Sequence, residues 1–345
     1  MSGPATWANR VRGLVLGLAL GDSVGRGVVP ASGPIRAGVS TQLAAFTIDG
    51  IIRAWIRGEH KGVCHPPSVV WHAYCRWAAL QGIQLHKRHQ KCIEGEKWPD
   101  GWLADVSILR ERRGSAPATV KALTGADTQP SSSFGCHALT RALPMAALHR
   151  KLTADKLADL ARDVAALTHG ELHAGHPTAA AVVLAARCLS MATFEEATGL
   201  EPDLIRLPHV AWLFGMVHEA LGHVRQAPRQ KARLAQVAPD ATASAALSGG
   251  VYVAASYPAP GEAMEALAFA ATAPDGDSVA VVAGALLGAL HGVDVWPVEL
   301  ISRLELAWVM DTLARDLALQ ITESPAGDGY GPPKDPFWWD RYPGW

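Results

Sequence analysis

The chain has 345 residues, a formal net charge of −1 and 49% hydrophobic residues, and its acidic and basic side chains are mixed along the sequence. This charge balance excludes the strongly basic surface with which proteins typically bind nucleic acids or anionic membranes. Alanine and leucine supply much of the apolar content and β-branched runs are few and short, so the composition favours helices.

The cysteines and the apolar runs indicate a cytoplasmic protein. The five cysteines are scattered without a C-x-x-C pair, so the sequence predicts neither a disulfide framework nor a zinc ribbon. No basic segment followed by an apolar run opens the sequence. The longest uncharged apolar run, 279–290, is shorter than the roughly 20 residues that span a bilayer, so we expect no membrane segment.

Apolar residues recur at helical spacing through most of the chain, beginning with 7–21. Further helices are predicted at 41–57, 69–80, 103–113, 138–150, 154–167, 178–193, 204–221, 262–271 and 298–322, and a Ser/Thr/Gly/Pro loop is predicted over 114–134. The prolines of the tail, 324–345, exclude a continuous helix, so we expect the tail to lie across the body with its aromatic rings docked. We predict one all-α, multi-helix domain over 1–323, followed by this tail.

Two of the predicted helices carry glycines in steps of four. Glycines occupy positions 13, 17 and 21 along the first helix and position 25 just after it, and positions 284, 288 and 292 along a later helix. Residues four apart lie on nearly the same helix face, and a face without side chains lets another backbone approach closely. We therefore predict that the two helices cross, which would bring Asp22 near Asp275 and Asp277.

The later glycine helix is preceded by the acidic turn Pro274-Asp275-Gly276-Asp277-Ser278. We expect Ser278 to cap this helix, because a serine oxygen can accept a hydrogen bond from an unpaired backbone N–H. Asp275 and Asp277 could then converge on a hard cation such as Mg²⁺. The alternative is an acidic helix cap that binds nothing.

Three other segments are candidate sites. The small residues of 131–137 could present backbone N–H groups to phosphate oxygens, or could form a plain connection. His169, His173 and His176 are expected on a loop, because Gly170, Gly175 and Pro177 interrupt them, and they could bind a metal, contact a ligand or do neither. His218 and His223 are five residues apart, roughly 140° around a helix, so a zinc site of the H-E-x-x-H kind is not expected.

Five motifs in the chain resemble, in order, those of the ADP-ribosylglycohydrolase family. The first glycine helix through Gly25 is similar to G-x-x-x-G-x-A-x-G-D-x-x-G, and 275–278 match D-x-D-[ST]. The others lie at 40–53, at 134–144, and at 167–170 with His176-Pro177, where T-H-G-H-P is opened by about five extra residues. The similarity covers about 10–322.

This resemblance implies an orthogonal all-α fold, a binuclear Mg²⁺ site and hydrolysis of the N- or O-glycosidic bond between ADP-ribose and an acceptor. The implied metal ligands are Asp275, Asp277, Ser278 and Thr41. The implied ligand-binding residues are Ser133, Phe134, Gly135, Cys136, His137 and His169.

The chain also departs from the family pattern. Where the family has [ST]-D-D-T, the aligned residues are Gly38-Val39-Ser40-Thr41, so two metal-binding acids are missing. One hypothesis is an ADP-ribosyl hydrolase with a single or weakly bound Mg²⁺ and with Asp22 activating water. The other is a relative that binds ADP-ribose, a nucleotide or a protein partner without turnover.

Overall fold

Helices form the regular secondary structure of the part of the chain that the computed structural model describes, which is 5–27, 30–89, 98–126, 131–170, 172–199, 208–329 and 331–343, the side chains of 208–214 excepted. The first eight helices are α1 (Trp7–Val24), α2 (Val39–Lys61), α3 (Pro66–Leu80), α4 (Pro117–Thr124), α5 (His137–Ala142), α6 (Ala154–Ala166), α7 (Leu172–Cys188) and α8 (Phe194–Thr198). The others are α9 (Pro208–Gln226), α10 (Lys231–Val237), α11 (Ala243–Ser256), α12 (Ala263–Ala270), α13 (Gly276–His291), α14 (Val298–Ile301), α15 (Ala307–Thr322) and α16 (Trp338–Arg341). The all-α prediction is confirmed.

The crossing of α1 and α13 organises the core, as the glycine spacing predicted. A Cβ added at position 13, 17 or 21 would lie less than 3.0 Å from the backbone of α13. A Cβ at position 25 would meet the backbone of Gly276 and Asp277 equally closely. Real Cβ atoms do not approach other atoms so closely, so this contact requires glycine on α1.

Helix α11, which the sequence analysis missed, packs against another side of α13. A Cβ on Gly249 would lie 2.8 Å from a methyl group of Val279, and Gly250 meets Val282 more closely still. α11 is buried along most of its length and therefore lacks the polar stripe that reveals a surface helix. α13 is consequently covered by helices, and its residues 279–290 are all apolar and buried.

Several predicted boundaries are wrong. Helix α4 lies inside the predicted loop 114–134, where Pro117 occupies a first-turn position that tolerates proline. The predicted helix 103–113 is two short 3₁₀ turns separated by the extended residue Val106. Residues 143–150 also form a 3₁₀ helix, and 298–322 divide into α14 and α15. Of the predicted helix 204–221, positions 204–207 lie outside the described residues.

The expected loop around His173 and His176 is also wrong, because α7 begins at Leu172 and includes both histidines. Pro177 lies within this helix, where it removes one backbone hydrogen bond. Gly175 and Pro177 are both buried, so packing against the core has overridden their helix-breaking tendency.

The aromatic tail docks on the helical body, as predicted, through Trp338, Trp339 and Tyr342, and the Trp339 ring packs against the ring of His60. Trp338 and Tyr342 are buried, and their polar atoms donate hydrogen bonds to Gln320 Oε1 (2.8 Å) and Asp316 Oδ2 (2.6 Å), respectively. Trp345 lies outside the described residues. Within the described part of the chain, no helix has the length and apolar character to cross a bilayer.

Candidate functional site

The acidic turn lies against the end of α1, where Gly25 contacts Gly276 and Asp277. Asp275 is the residue before α13, whereas Asp277 and Ser278 lie in its first turn. The prediction that Ser278 caps the helix is wrong: its hydroxyl donates instead to Cys136 Sγ, at 2.9 Å. This contact joins the acidic turn to the loop 131–137.

One carboxylate oxygen of Asp275 is buried in this turn. Its Oδ2 is buried and has no hydrogen-bond partner among the described residues. Burial raises the pKa of Asp275 to about 6, and the neighbouring charge of Asp277 acts in the same direction. A proton or a cation would satisfy this oxygen.

Asp22 fastens the end of α1 to the start of α2. Its Oδ2 accepts hydrogen bonds from Gly38 N (2.8 Å), Thr41 N (2.9 Å) and Thr41 Oγ1 (2.6 Å). The carboxyl group is buried, and this burial raises its pKa although Arg26 and Thr41 oppose the shift. Asp22 therefore positions Thr41, and its Oδ2 has little capacity left to accept a proton from water.

Arg26, which the sequence analysis did not select, lies between the acids of the first and last motifs. Its Nη2 is 3.5 Å from Asp22 Oδ1, and its Nε is 3.9 Å from Asp277 Oδ2. Its Nη2 also donates to the carbonyl oxygen of Arg113, at 3.3 Å. The sequence signal for Arg26 was its position four residues after Asp22, which is one helical turn. Such i, i+4 ion pairs are common on helices, so the signal did not mark a functional site.

Gly38 makes room for this arginine. A Cβ at position 38 would lie less than 3.0 Å from both Arg26 Nη2 and Asp22 Oδ1. In the motif pattern [ST]-D-D-T, this position carries a side chain. The guanidinium group of Arg26 can therefore occupy its position only because residue 38 has no side chain.

The residues present do not fit a pair of Mg²⁺ ions. Val39 is buried against Gly114, and Ser40 Oγ shares a hydrogen bond with Thr140 Oγ1 (3.1 Å), so neither position supplies a carboxylate. Thr41 Oγ1 is already bonded to Asp22, and Arg26 adds a fixed positive charge. Within the described residues, no three His, Cys, Asp or Glu side chains are arranged to hold a metal ion.

Two neighbouring segments hold the loop 131–137 in place. Ser131 O accepts from Gly170 N (2.9 Å), and Ser131 Oγ donates to Thr168 O (2.9 Å). On the other side, Phe134 O accepts from Ala243 N (2.8 Å), and Cys136 N donates to Ala241 O (3.0 Å). The loop is therefore a rigid wall of the site, held between 168–170 and 241–243.

The side chains of this loop differ in what they can contact. Ser133 Oγ accepts from Gly135 N (3.2 Å), and the Phe134 ring is 46% exposed with its edge toward His173. The Cys136 side chain is buried against Ser278, and burial together with the nearby charge of Asp275 raises its pKa to about 12. It therefore remains a thiol at neutral pH. Burial and the charge of Arg141 lower the pKa of His137 to about 4.

His169 is held beside this loop as a neutral imidazole. Arg141 donates to Thr168 Oγ1 (2.8 Å), which in turn lies 2.7 Å from His169 Nδ1. Burial and the charge of Arg141 lower the pKa of His169 to about 3. A Cβ on Gly135 would lie 3.5 Å from His169 Nε2, so this nitrogen faces the loop. Arg141 thus acts through Thr168 to orient His169.

The crossed glycine helices bring an N-terminal aspartate, an acidic helix start and a glycine-containing loop together. These are the segments whose motifs resemble those of the ADP-ribosylglycohydrolases, and the helical body is the fold expected for that class. The family model for ADP-ribosylglycohydrolase matches residues 3–326, and the chain belongs to that family.

A solved structure described as an ADP-ribosylglycohydrolase-related protein complex is similar in fold. The alignment covers 92% of this chain and 99% of that chain, with a TM-score of 0.61 and 20% identity. No curated protein matches the chain.

Proposed function

We propose that the cleft between α1, the start of α13 and the loop 131–137 binds ADP-ribose or an ADP-ribosylated substrate without the two-Mg²⁺ hydrolysis of the family pattern. The observation that carries this proposal is the guanidinium group of Arg26, which lies between Asp22 and Asp277. Arg26 therefore provides, next to Asp22 and Asp277, the positive charge that a metal ion provides in the family pattern.

Electrostatics favour this arginine over a divalent ion. Each additional carboxylate stabilises Mg²⁺, and the two residues aligned with the family's second pair of acids are uncharged. A divalent ion about 5 Å from the guanidinium would be repelled by about 2 kcal/mol even at the dielectric constant of water. Arg26 is 36% exposed, so solvent screening applies to it and the estimate for water is the appropriate one.

The loop 131–137 and His169 provide the contacts for the ligand. His169 Nε2 faces Gly135 and is kept neutral, so it can donate or accept one hydrogen bond without adding charge. The exposed ring of Phe134 offers a face on which an adenine or ribose could pack. These elements do not depend on a metal.

The test is isothermal titration with ADP-ribose in Mg²⁺ and again in excess chelator. We expect binding in both conditions, and about tenfold weaker binding in Phe134→Ala because one stacking contact is lost. Asp163→Ala, which removes an exposed acid on α6, serves as the control and should bind normally. Binding that disappears with the chelator would contradict the proposal.

Hydrolysis at a reduced site is the second candidate, because the buried Asp275 Oδ2 has no hydrogen-bond partner in the part of the chain that the structure describes. Asp275 and Asp277 would hold one Mg²⁺, which would supply stabilisation of charge on the ribose. Mg²⁺-dependent release of ADP-ribose from arginyl or seryl conjugates, lost in Asp277→Ala and retained in Asp163→Ala, would support this candidate. The binding proposal predicts no release in any of these proteins.

A further inference from the structure

A second pocket, of about 300 Å³, lies between the C-terminal half of α2, the start of α3 and the tail at Pro343. Arg57, on its wall, is sixteen residues along α2 from Thr41, about 24 Å at the helical rise. The pocket is therefore separate from the candidate cleft. We propose that it binds a small phosphomonoester, with the phosphate on its arginines and the organic group on its apolar wall.

Three guanidinium groups line the pocket, and two carboxylates offset only part of their charge. Arg53 pairs with Asp49 (Nε to Oδ2, 2.9 Å) and with Asp100 (Nη1 to Oδ2, 3.2 Å). Arg76 Nε also bonds Asp100. Arg57, which is half-buried, forms no ion pair within the described residues. The cluster thus retains one net positive charge before its histidines are counted.

Arg76 provides an unused hydrogen-bond donor in the same place. Its side chain is 2% exposed, and its Nη1 is buried without a hydrogen-bond partner among the described residues. Nη1 is out of reach of solvent, so an anion in the pocket would offset the charge of this guanidinium group and would not bond Nη1 itself. Burial lowers the pKa of Arg76, and the charge of Arg53 acts in the same direction, whereas Asp49 and Asp100 oppose the shift.

The charged and apolar side chains that line the pocket favour a phosphate ester over a simple carboxylate. A phosphomonoester carries up to two negative charges and several acceptor oxygens, which matches the surplus guanidinium group of Arg57 beside the buried charge of Arg76. His65 and Ser68, at the mouth, add polar groups that are 2.7 Å apart. Val63, Val69 and Pro343 form the apolar part of the wall. The volume is at the lower end of small-molecule pockets, so the organic group is small.

The test uses the full chain, with phenyl phosphate, inorganic phosphate and benzoate titrated separately by calorimetry. We expect phenyl phosphate to bind most tightly, because it alone combines the phosphate with an apolar group. Raising the salt concentration should weaken its binding. Failure of phenyl phosphate to bind at millimolar concentration, or benzoate binding as tightly, would overturn the proposal.

Variants separate this pocket from the rest of the surface. Arg57→Gln should weaken phenyl phosphate binding at least about tenfold through loss of a charge-assisted hydrogen bond. Ser68→Glu, at an exposed position, should have a similar effect by placing a carboxylate at the mouth. Arg225→Gln, an exposed arginine on α9, is the matched control and should leave the affinity unchanged. Equal affinities in all three proteins would overturn the proposal.

The two sites are distinguished by crossed measurements. Phe134→Ala should leave phenyl phosphate binding unchanged, and Arg57→Gln should leave ADP-ribose binding unchanged. If Phe134→Ala weakened phenyl phosphate binding about tenfold, the anion would be bound in the cleft and the pocket proposal would be wrong. This result would not affect the proposal for ADP-ribose.

Discussion

The contact between α1 and α13 makes Gly17→Ala a direct test of the fold that positions the site. A Cβ there would lie 2.6 Å from Trp296 Cζ2 and 2.8 Å from the carbonyl carbon of Gly284, and it would be closer still to the carbonyl oxygen of Gly284. Two of these three atoms are backbone, so a side-chain rotation cannot relieve the clash. Trp296 is also held, because its Nε1 donates to Gly13 O at 3.0 Å.

The expected magnitude follows from two opposing terms. Overpacking a core position costs about 1–3 kcal/mol, and a contact with rigid backbone belongs at the upper end. Replacing a helical glycine by alanine returns about 1 kcal/mol through helix propensity. The net prediction is a loss of about 2 kcal/mol in the free energy of unfolding.

Gly222→Ala is the matched control, because, apart from the neighbouring backbone of its own helix α9, no atom of the described residues lies within 4 Å of a Cβ at that position. It should stabilise the protein by about 0.5–1 kcal/mol. The measurement is urea unfolding followed by far-UV circular dichroism, with both variants compared with the parent chain. A Gly17→Ala protein as stable as Gly222→Ala would refute the close crossing.

Three further predictions concern the site and the tail. Gly38→Ala should lower the free energy of unfolding by about 2 kcal/mol. The loss should be smaller in an Arg26→Ala background, because part of the clash is with the guanidinium group. If urea unfolding showed that the effects of the two substitutions add, the contact between residue 38 and Arg26 would be contradicted. Because the pKa of His169 is lowered from 6.5 to about 3, the unfolded chain binds the proton more tightly, so stability should fall as the pH decreases from about 6.5 toward 3. This histidine changes the free energy of unfolding by at most about 1.4 kcal/mol per pH unit. His169→Gln should therefore show a shallower slope of stability against pH. An unchanged slope would contradict the assignment of His169 as a neutral imidazole. Tyr342→Phe should cost about 1–3 kcal/mol because the buried Asp316 loses a 2.6 Å hydrogen bond, and an unchanged unfolding midpoint would argue against docking of the tail.

The sequence was most informative where one local pattern had one physical meaning. Glycines four residues apart make a bare helix face, and α1 and α13 meet along that face. The acidic turn was correctly placed beside Asp22 for the same reason. The N-terminal boundary of α7 was wrong because Gly175 and Pro177 break helices locally, whereas here the core buries both of them within a helix.

Features that depend on contacts between distant segments could not be predicted. Arg26 and Gly38 have no special meaning until the chain brings them together, because either residue alone is an ordinary loop or helix-end residue. Ser278 looked like a helix cap because the partner of its hydroxyl, Cys136, is 142 residues away. α11 was missed because a helix that is buried along most of its length has no continuous polar face.

The central claim is that Arg26 takes the place of a divalent cation beside Asp22 and Asp277. It is tested most directly by titrating Mg²⁺ into the parent chain and into Arg26→Ala, with Arg225→Gln as the control for lost charge. We predict no binding at millimolar Mg²⁺ in the parent and control proteins, and measurable binding once Arg26 is removed. Micromolar Mg²⁺ binding by the parent chain, unchanged in Arg26→Ala, would contradict the claim.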